Sequence, residues 1–334
     1  MSTPDIVRWG IAGPGNIANS LAADFPHTPH AELVAVASRS AERARRFADE
    51  HGTARAYGSY RELIDDPDVD VIYVATPHPQ HLAIAEAALR AGKGVLVEKS
   101  FTATLAGTQR LVEVARETGR FAMEAMWTRF QPAIAKAREL VADGAIGRLG
   151  GVQADLCIGR SFEAGNRLFE PETGGGALLD LGVYPVSFAQ HFLGDPDRVE
   201  AMGARYDNGA DSSATVQLGY ADGRLASLYC SIENAGPGRA MLLGSDGWIE
   251  VPPRFHHPDR VILHRKGAEP EEFVAPRTGA GYAHELIEVT EAVRAGRTES
   301  ELMPLSDTVA VMAILQQAAD QIGLEFAEAT EIPT

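Results

Sequence analysis

Three groups of residues in this 334-residue chain have types and spacings that could carry chemistry. The first is Gly13-Pro14-Gly15-Asn16-Ile17-Ala18, a G-x-G-x-x-A sequence between an apolar run at 6–12 and a helical pattern. Gly13 permits a tight turn, Gly15 lets main-chain N–H groups approach a pyrophosphate at the helix start formed by Asn16 and Ile17, and Ala18 allows close packing of helix on strand. Gly-Pro-Gly is also an ordinary turn. What favours dinucleotide binding is the context: a strand before, a helix after, and a second strand ending about 20 residues on. That second strand ends in Ser38-Arg39-Ser40, where NAD sites place an Asp or Glu on the ribose 2′-hydroxyl. Two hydroxyls and a guanidinium suit a 2′-phosphate instead, with Ser38 beside it and Arg39 forking onto it or lying over the adenine. NADP is therefore expected in preference to NAD. Arg43, Arg45 and Arg46 read as a solvated helix face.

The second group is Glu98-Lys99, delivered at the end of the apolar run at 94–99. In an open parallel sheet the ligand crevice lies beyond the carboxyl ends of the strands, so that position is chemically exposed. The third is Gly174-Gly175-Gly176-Ala177-Leu178-Leu179-Asp180-Leu181-Gly182-Val183-Tyr184-Pro185. Three glycines imply a crowded backbone approach, and Asp180 and Tyr184 share a face if the turn between them is helical. Gly182 and Pro185 interrupt that continuity, and Pro185 reads as the first turn of a second helix, which leaves the Asp180–Tyr184 geometry open. Reducing a carbonyl needs a hydride donor at carbon and a proton donor at oxygen, and a phenol of pKa ~10 is a slow acid–base group unless tuned. Lowering it by about 3 units takes roughly 4 kcal/mol, within reach of a partly desolvated Lys99 ammonium. Asp180 would orient Lys99 or bind a substrate hydroxyl.

Other residues carry weaker signals. His284-Glu285-Leu286-Ile287-Glu288 is half of a zinc-binding helix whose second histidine is replaced by glutamate, and His256-His257-Pro258 reads as a loop. Neither has a third ligand at metal spacing, so no metal site is expected. Trp127 would wall a pocket or fill a domain junction, since either use favours a large aromatic.

The elements that must position these groups are legible as patterns. Apolar, β-branched runs at 6–12, 32–38, 69–76 and 94–99 alternate with helical stretches, one of them at 79–91 with Leu82, Ala85, Ala88 and Leu89 on one face. This is β-α-β repetition, hence a doubly wound parallel sheet. From about residue 148 the texture changes. Residues 213–220 alternate strictly, and Asp222-Gly223 and Asp246-Gly247 read as type I′ hairpin turns. Helices are expected near 283–295 and 306–322, the latter with Ser306 as N-cap. The expected fold is an α/β domain over 1–125 followed by an α+β domain over 126–334 with a large, mostly antiparallel open sheet.

Composition narrows the function classes. A hydrophobic share of 45% and a charged share of 23% are those of a globular chain, and a net charge of −16 makes nucleic acid and anionic membrane surfaces poor partners. Two cysteines, no basic apolar leader in MSTPDIVRWG and no apolar run of membrane-spanning length lead to the expectation of a cytoplasmic, soluble protein.

Four stretches together resemble the Gfo/Idh/MocA oxidoreductases, and among them the dihydrodiol and NADP-dependent xylose dehydrogenases: GIAGPGNIA at 10–18, ATPHPQHLAIAEAALRAGKGVLVEKS at 75–100, MEAMWTRFQP at 123–132 and RLFEPETGGGALLDLGVYPVSF at 167–188. The resemblance implies a Rossmann domain, a second domain whose open sheet serves dimerisation or higher homo-oligomers, and an active site between them. It implies Lys99, Asp180 and Tyr184 as the catalytic group, with Thr76, Pro77, His81, Glu98 and Lys99 on the cofactor side. Trp127, Arg129 and Phe169, with Arg167, fall by the same resemblance near a sugar, polyol or trans-dihydrodiol substrate. Many relatives carry histidine where this chain has Tyr184. The usual E-K-P is Glu98-Lys99-Ser100 here, from which a trans peptide after the lysine is expected. A redox-assisted glycosidase and a non-catalytic dinucleotide sensor share the fold, and the retention of Lys99, Asp180 and Tyr184 speaks against the sensor.

Overall fold

The computed structural model describes residues 5–334; Met1–Pro4, on which the expected lack of a leader partly rests, lie outside the described residues. The chain divides into two compact units. One takes the chain up to Ala125 together with Thr278–Val309 and Ala327–Thr334, and the other takes Met126–Arg277 and Ala310–Phe326.

In the first unit, β1 (Val7–Ala12), α1 (Asn16–Ala22), β2 (Ala31–Ala37), α2 (Ala41–His51), β3 (Arg55–Tyr57) and α3 (Tyr60–Asp65) form one half. The other half is β4 (Val71–Val74), α4 (His81–Arg90), β5 (Gly94–Glu98), α5 (Leu105–Thr118) and β6 (Ala122–Ala125). The six strands are all parallel, in the order β3-β2-β1-β4-β5-β6. Covered on both faces, β4 and β5 bury every residue, which is why they appear in the sequence as continuous apolar runs rather than alternations. The strand order reverses between β1 and β4, so the crevice at their carboxyl ends is the topological switch point.

The second unit contributes α6 (Pro132–Ala142), β7 (Leu149–Cys157), α7 (Val183–Leu193), β8 (Arg198–Arg205), β9 (Asp211–Gly219) and β10 (Leu225–Ser231). Four further strands follow, β11 (Ala240–Gly244), β12 (Gly247–Val251), β13 (Arg260–Arg265) and β14 (Glu271–Val274). They form one eight-stranded sheet, β14-β13-β12-β11-β7-β10-β9-β8, in which only β7 and β10 run parallel. Ala214, Val216 and Leu218 of β9 are buried, as the alternation demands, while α6 and α7 pack on this sheet. On the opposite side of the ladder the paired positions leave Met202 (73% exposed), Leu225 (65%) and Trp248 (42%) uncovered.

Three local expectations are corrected. The hairpins form where Asp-Gly pairs mark them, but neither is type I′, which needs left-handed geometry at both central residues. Only Gly223 has it (φ +87°), and the Ser245–Asp246 turn is held instead by main-chain N–H donation to Arg148 and Ile146. Ser306 is not an N-cap, because the helix already begins at Leu305, whose N–H donates to Glu299 Oε2 at 2.9 Å.

The third correction concerns the division of the chain. The segment after residue 126 does not stay in one unit, since α8 (Ala283–Arg294) packs on β1 and β2 of the first, and α9 (Leu305–Ile322) begins there before ending in the second. The cause of the return is visible at Asp24. This carboxylate is 2% exposed and accepts N–H groups of Ala280, Tyr282 and Ala283 at 2.8, 2.8 and 3.1 Å, capping α8 from residues far away in sequence.

Candidate active site

In the first unit Gly13 carries φ +98°, and a Cβ there would lie 2.9 Å from the carbonyl oxygen of Ala75, so the tight turn admits no side chain. Gly15 precedes α1 with no side-chain cap, and a Cβ on it would meet nothing within 4 Å. The Gly15 N–H is taken up by the Gly13 carbonyl at 2.9 Å, but the first N–H groups of a helix have no intrahelical acceptor, so Asn16 and Ile17 present backbone donors at the switch point, which fits a pyrophosphate. Ala18 is fully buried, the close packing its small size allows.

At the end of β2, Ser38 Oγ accepts the Ser40 N–H at 3.2 Å, and Ser40 Oγ caps α2 by accepting the Arg43 N–H at 3.3 Å. One of the two hydroxyls is therefore spent as a helix cap, leaving the exposed guanidinium of Arg39 as the charged group of the triplet. Burial raises the pKa of the nearby Tyr60 phenol, and the charges of Arg39 and Arg43 draw it back down.

The loops after β4 and β5 are locked together. His81 is fully buried, with Nε2 2.7 Å from the carbonyl of Thr76 and Nδ1 3.1 Å from that of Ser100. Burial, then His78, pushes its pKa down to about 3. Its ring joins the Thr76-Pro77 loop to the Lys99-Ser100 loop, a positioning task. His78 reaches the carbonyl of Lys99 at 3.2 Å. The Lys99–Ser100 peptide is cis, against the trans expectation drawn from the missing proline. The carbonyls of Lys99 and Ser100 lie against His78 and His81, whose neutral ring has one N–H to give, and the Phe101 N–H donates to Glu124 at 3.0 Å. Glu98 is buried, accepting the Tyr73 hydroxyl on one oxygen and the Lys99 N–H on the other at 3.2 Å. Its carboxylate thus supports the loop from beneath, while half-buried Lys99 stands at the end of β5.

In the second unit, Leu178–Gly182 form a π-helical turn that runs without a break into α7. Asp180 and Tyr184 lie four residues apart along this one stretch, both buried, and Pro185 is the third residue of α7. The wider turn before it accommodates a residue with no N–H to give. Gly175 and Gly176 let the loop reach this point. A Cβ on Gly175 would lie 2.3 Å from the Arg167 carbonyl, and one on Gly176 (φ +134°) would lie 2.0 Å from Asp211 Oδ1. Asp211, with a pKa raised by burial to about 6, accepts the Leu178 N–H at 2.6 Å and anchors the start of the π turn. Arg167 Nη2 pairs with Asp180 Oδ2 at 3.2 Å, so that carboxylate is oriented by the loop that enters the glycine run.

Two residues expected at the substrate also have structural partners. The Arg129 guanidinium is buried, donating to Ser187 Oγ at 3.2 Å and Gln190 Oε1 at 2.6 Å, and so braces the 127–130 turn against α7. Phe169 is 1% exposed at the centre of an aromatic cluster with Phe162 and Tyr206, ring centroids 5.3 and 5.6 Å away. Trp127 is half-buried and stacks on His257. Sequence patterns gave no sign of the roles of Asp24, Asp211, Glu285 or the His256–His257 pair, because each acts across a long sequence separation and belongs to no periodic motif.

Comparison with known proteins places this arrangement. Residues 7–126 match the family model described as an oxidoreductase family with an NAD-binding Rossmann fold, and residues 134–250 match the GFO/IDH/MocA C-terminal domain. Trans-1,2-dihydrobenzene-1,2-diol dehydrogenase of Homo sapiens is 36% identical over 332 residues, covering 96% of this chain and 98% of that protein. Among solved structures, KijD10, a 3-ketoreductase from Actinomadura kijaniata in complex with NADP and TDP-benzene, superposes with a TM-score of 0.83 at 29% identity, covering 97% and 98% of the two chains. Aldose-aldose oxidoreductase from Caulobacter crescentus, complexed with glycerol, gives 0.85 at 25% identity over 95% and 97%.

Proposed function

Because the chain belongs to the Gfo/Idh/MocA family of oxidoreductases, we propose that it oxidises a carbinol of a sugar, polyol or trans-dihydrodiol, or reduces the matching carbonyl, with NADP as the hydride carrier. The observation that carries this reading is the acid-free Ser38-Arg39-Ser40 at the end of β2, beside a glycine loop at the switch point. Asn16 and Ile17 hold the pyrophosphate on backbone donors at the turn that Gly13 and Gly15 make possible, and Arg39 with Ser38 holds the 2′-phosphate. Tyr184 passes the proton to or from the substrate oxygen. Lys99 favours the phenolate form of that tyrosine, and Asp180, oriented by Arg167, accepts a hydrogen bond from a substrate hydroxyl. The names of two relatives, a trans-1,2-dihydrobenzene-1,2-diol dehydrogenase and an aldose-aldose oxidoreductase, support a hydroxyl-rich substrate.

Two broader readings accompany it. The uncovered face of the eight-stranded sheet supports a homodimer, and the free thiols of Cys157 and Cys230 suit a reducing, cytoplasmic compartment. No helix among the described residues is long and apolar enough to cross a membrane.

The test is cofactor reduction with NADP and NAD across aldoses, inositols, hydroxy acids and dihydrodiols. With the best substrate, Tyr184→Phe and Lys99→Met are each expected to lower kcat by about 10²- to 10⁴-fold. The double variant should lose little more than the worse single one, because the two residues act as a unit. NADPH affinity, measured by fluorescence titration, should change little. A Tyr184→Phe protein with wild-type kcat would remove the tyrosine from the chemistry, and tight cofactor binding without turnover of any substrate would favour a sensor.

A further inference from the structure

Around Trp127 and Tyr184 the second unit places two imidazoles that the reaction above does not use. The Trp127 indole lies on the ring of His257, centroids 4.5 Å apart and 22° from parallel. His256 meets the same indole edge-on at 5.9 Å and leans on the Tyr184 ring at 5.1 Å and 47°. The two imidazoles touch at 4.4 Å, nearly perpendicular.

Both are anchored. Thr128 Oγ1 donates to the His256 carbonyl at 2.9 Å, and the preceding Phe255 packs edge-on against Phe188 of α7 at 5.6 Å. Arg277 donates from Nη1 to Nδ1 of His257 and to its carbonyl oxygen at 3.1 Å. A guanidinium has no lone pair to offer, so Nδ1 must be the acceptor, and the imidazole proton sits on Nε2 of a neutral ring. The charged and titratable groups facing His257 are Arg277, Arg254, Asp259 and His256. Burial first, then the two arginines, holds its pKa down to about 4. Arg277 therefore sets the tautomer of the ring on which the indole rests and, with burial and Arg254, keeps that ring neutral.

We propose that Arg277, acting through His257, is a positioning residue for Trp127, and that His256 positions Tyr184, so that this loop holds an uncharged ring compound, a pyranose or cyclic diol, by its C–H face. The assignment rests on the proposed use of Trp127 and Tyr184 at the substrate. A neutral stacking partner leaves the indole face electron-rich for the ring's C–H groups, whereas an imidazolium would compete for it.

The decisive variant is Arg277→Met. Its KM for the best substrate should rise ~10-fold, the cost of one lost hydrogen bond, with kcat within a few-fold of wild type and NADPH affinity unchanged. Arg277→Lys, which keeps a donor, should recover part of the loss and serves alone if the methionine variant does not fold. A second readout needs no turnover: the fluorescence belonging to Trp127, taken as the difference from Trp127→Phe. It should be constant between pH 5 and 8 in the wild type and quenched towards the acid side in Arg277→Met, because removing the cation raises the His257 pKa. His256→Ala should lower kcat, and His256→Phe, which restores the ring, should recover it. Wild-type KM together with a flat fluorescence profile in Arg277→Met would overturn the proposal. Absence of turnover in the wild type would overturn the functional reading, while the fluorescence titration would still decide the positioning role.

Discussion

Glu285 enters the core of the first unit from α8, completely buried, and neither carboxyl oxygen has a hydrogen-bond partner among the described residues. Burial first, then the charges of Glu98 and Asp24, pushes its pKa well above the usual carboxylate range. The folded protein thus retains a proton that the unfolded chain releases above its ordinary value of 4.5, so this group's stabilising effect is present below that pH and is lost as pH rises towards the folded pKa. Glu285→Gln, which mimics the protonated acid, should melt at a higher temperature than wild type at pH 8, with the difference vanishing near pH 4; equal melting temperatures at pH 8 would contradict the buried-acid reading. The other residue-scale expectation concerns Arg39, whose guanidinium is exposed where a 2′-phosphate would sit. Arg39→Ala should raise the KM for NADP by about 10- to 100-fold and that for NAD hardly at all, as loss of a charge-assisted hydrogen bond worth ~1.5–3 kcal/mol requires. Equal wild-type efficiency with both cofactors would remove the basis for this assignment.

The π turn at Leu178–Gly182 depends on backbone closeness that a single methyl group would destroy. Gly176→Ala puts a Cβ against Asp211, which anchors the turn through the Leu178 N–H, and does so at a left-handed φ. A loss of about 1–3 kcal/mol in urea unfolding is expected, with kcat falling in parallel as Asp180 and Tyr184 shift. Retained stability and activity would mean that the loop relaxes. Elements of this kind show how far the sequence could be read. The parallel strands and α4 were legible because burial on one or two faces writes a period into the chain. The glycine loop and the Gly174–Gly176 run were legible because backbone approach leaves only glycine. The cis Lys99–Ser100 peptide was not, because without a proline no local pattern marks it. For Arg129 and Phe169 a motif locates the neighbourhood, and only packing reveals that one braces α7 and the other sits in an aromatic cluster.

At the scale of the whole molecule, the face of the eight-stranded sheet that carries Met202, Leu225 and Trp248 should lie between subunits. Light scattering is expected to give a dimer at micromolar concentration, and the double variant Met202→Glu, Leu225→Glu a monomer with its circular dichroism intact, since unpaired carboxylates are costly to desolvate in an apolar interface. A wild-type monomer would contradict the assignment. The capping of α8 by Asp24 has a consequence for how the protein is made. A ribosome releases Asp24 long before Ala280, Tyr282 and Ala283, the three residues whose N–H groups it will accept. At about 5–20 residues per second, that acid waits more than ten seconds for its partners, solvated in a nascent parallel sheet that lacks its last helix. The dinucleotide-binding half is therefore synthesised first but completed late, and an arrest of translation at any point before α8 should leave it open to proteases and chaperones rather than folded and waiting.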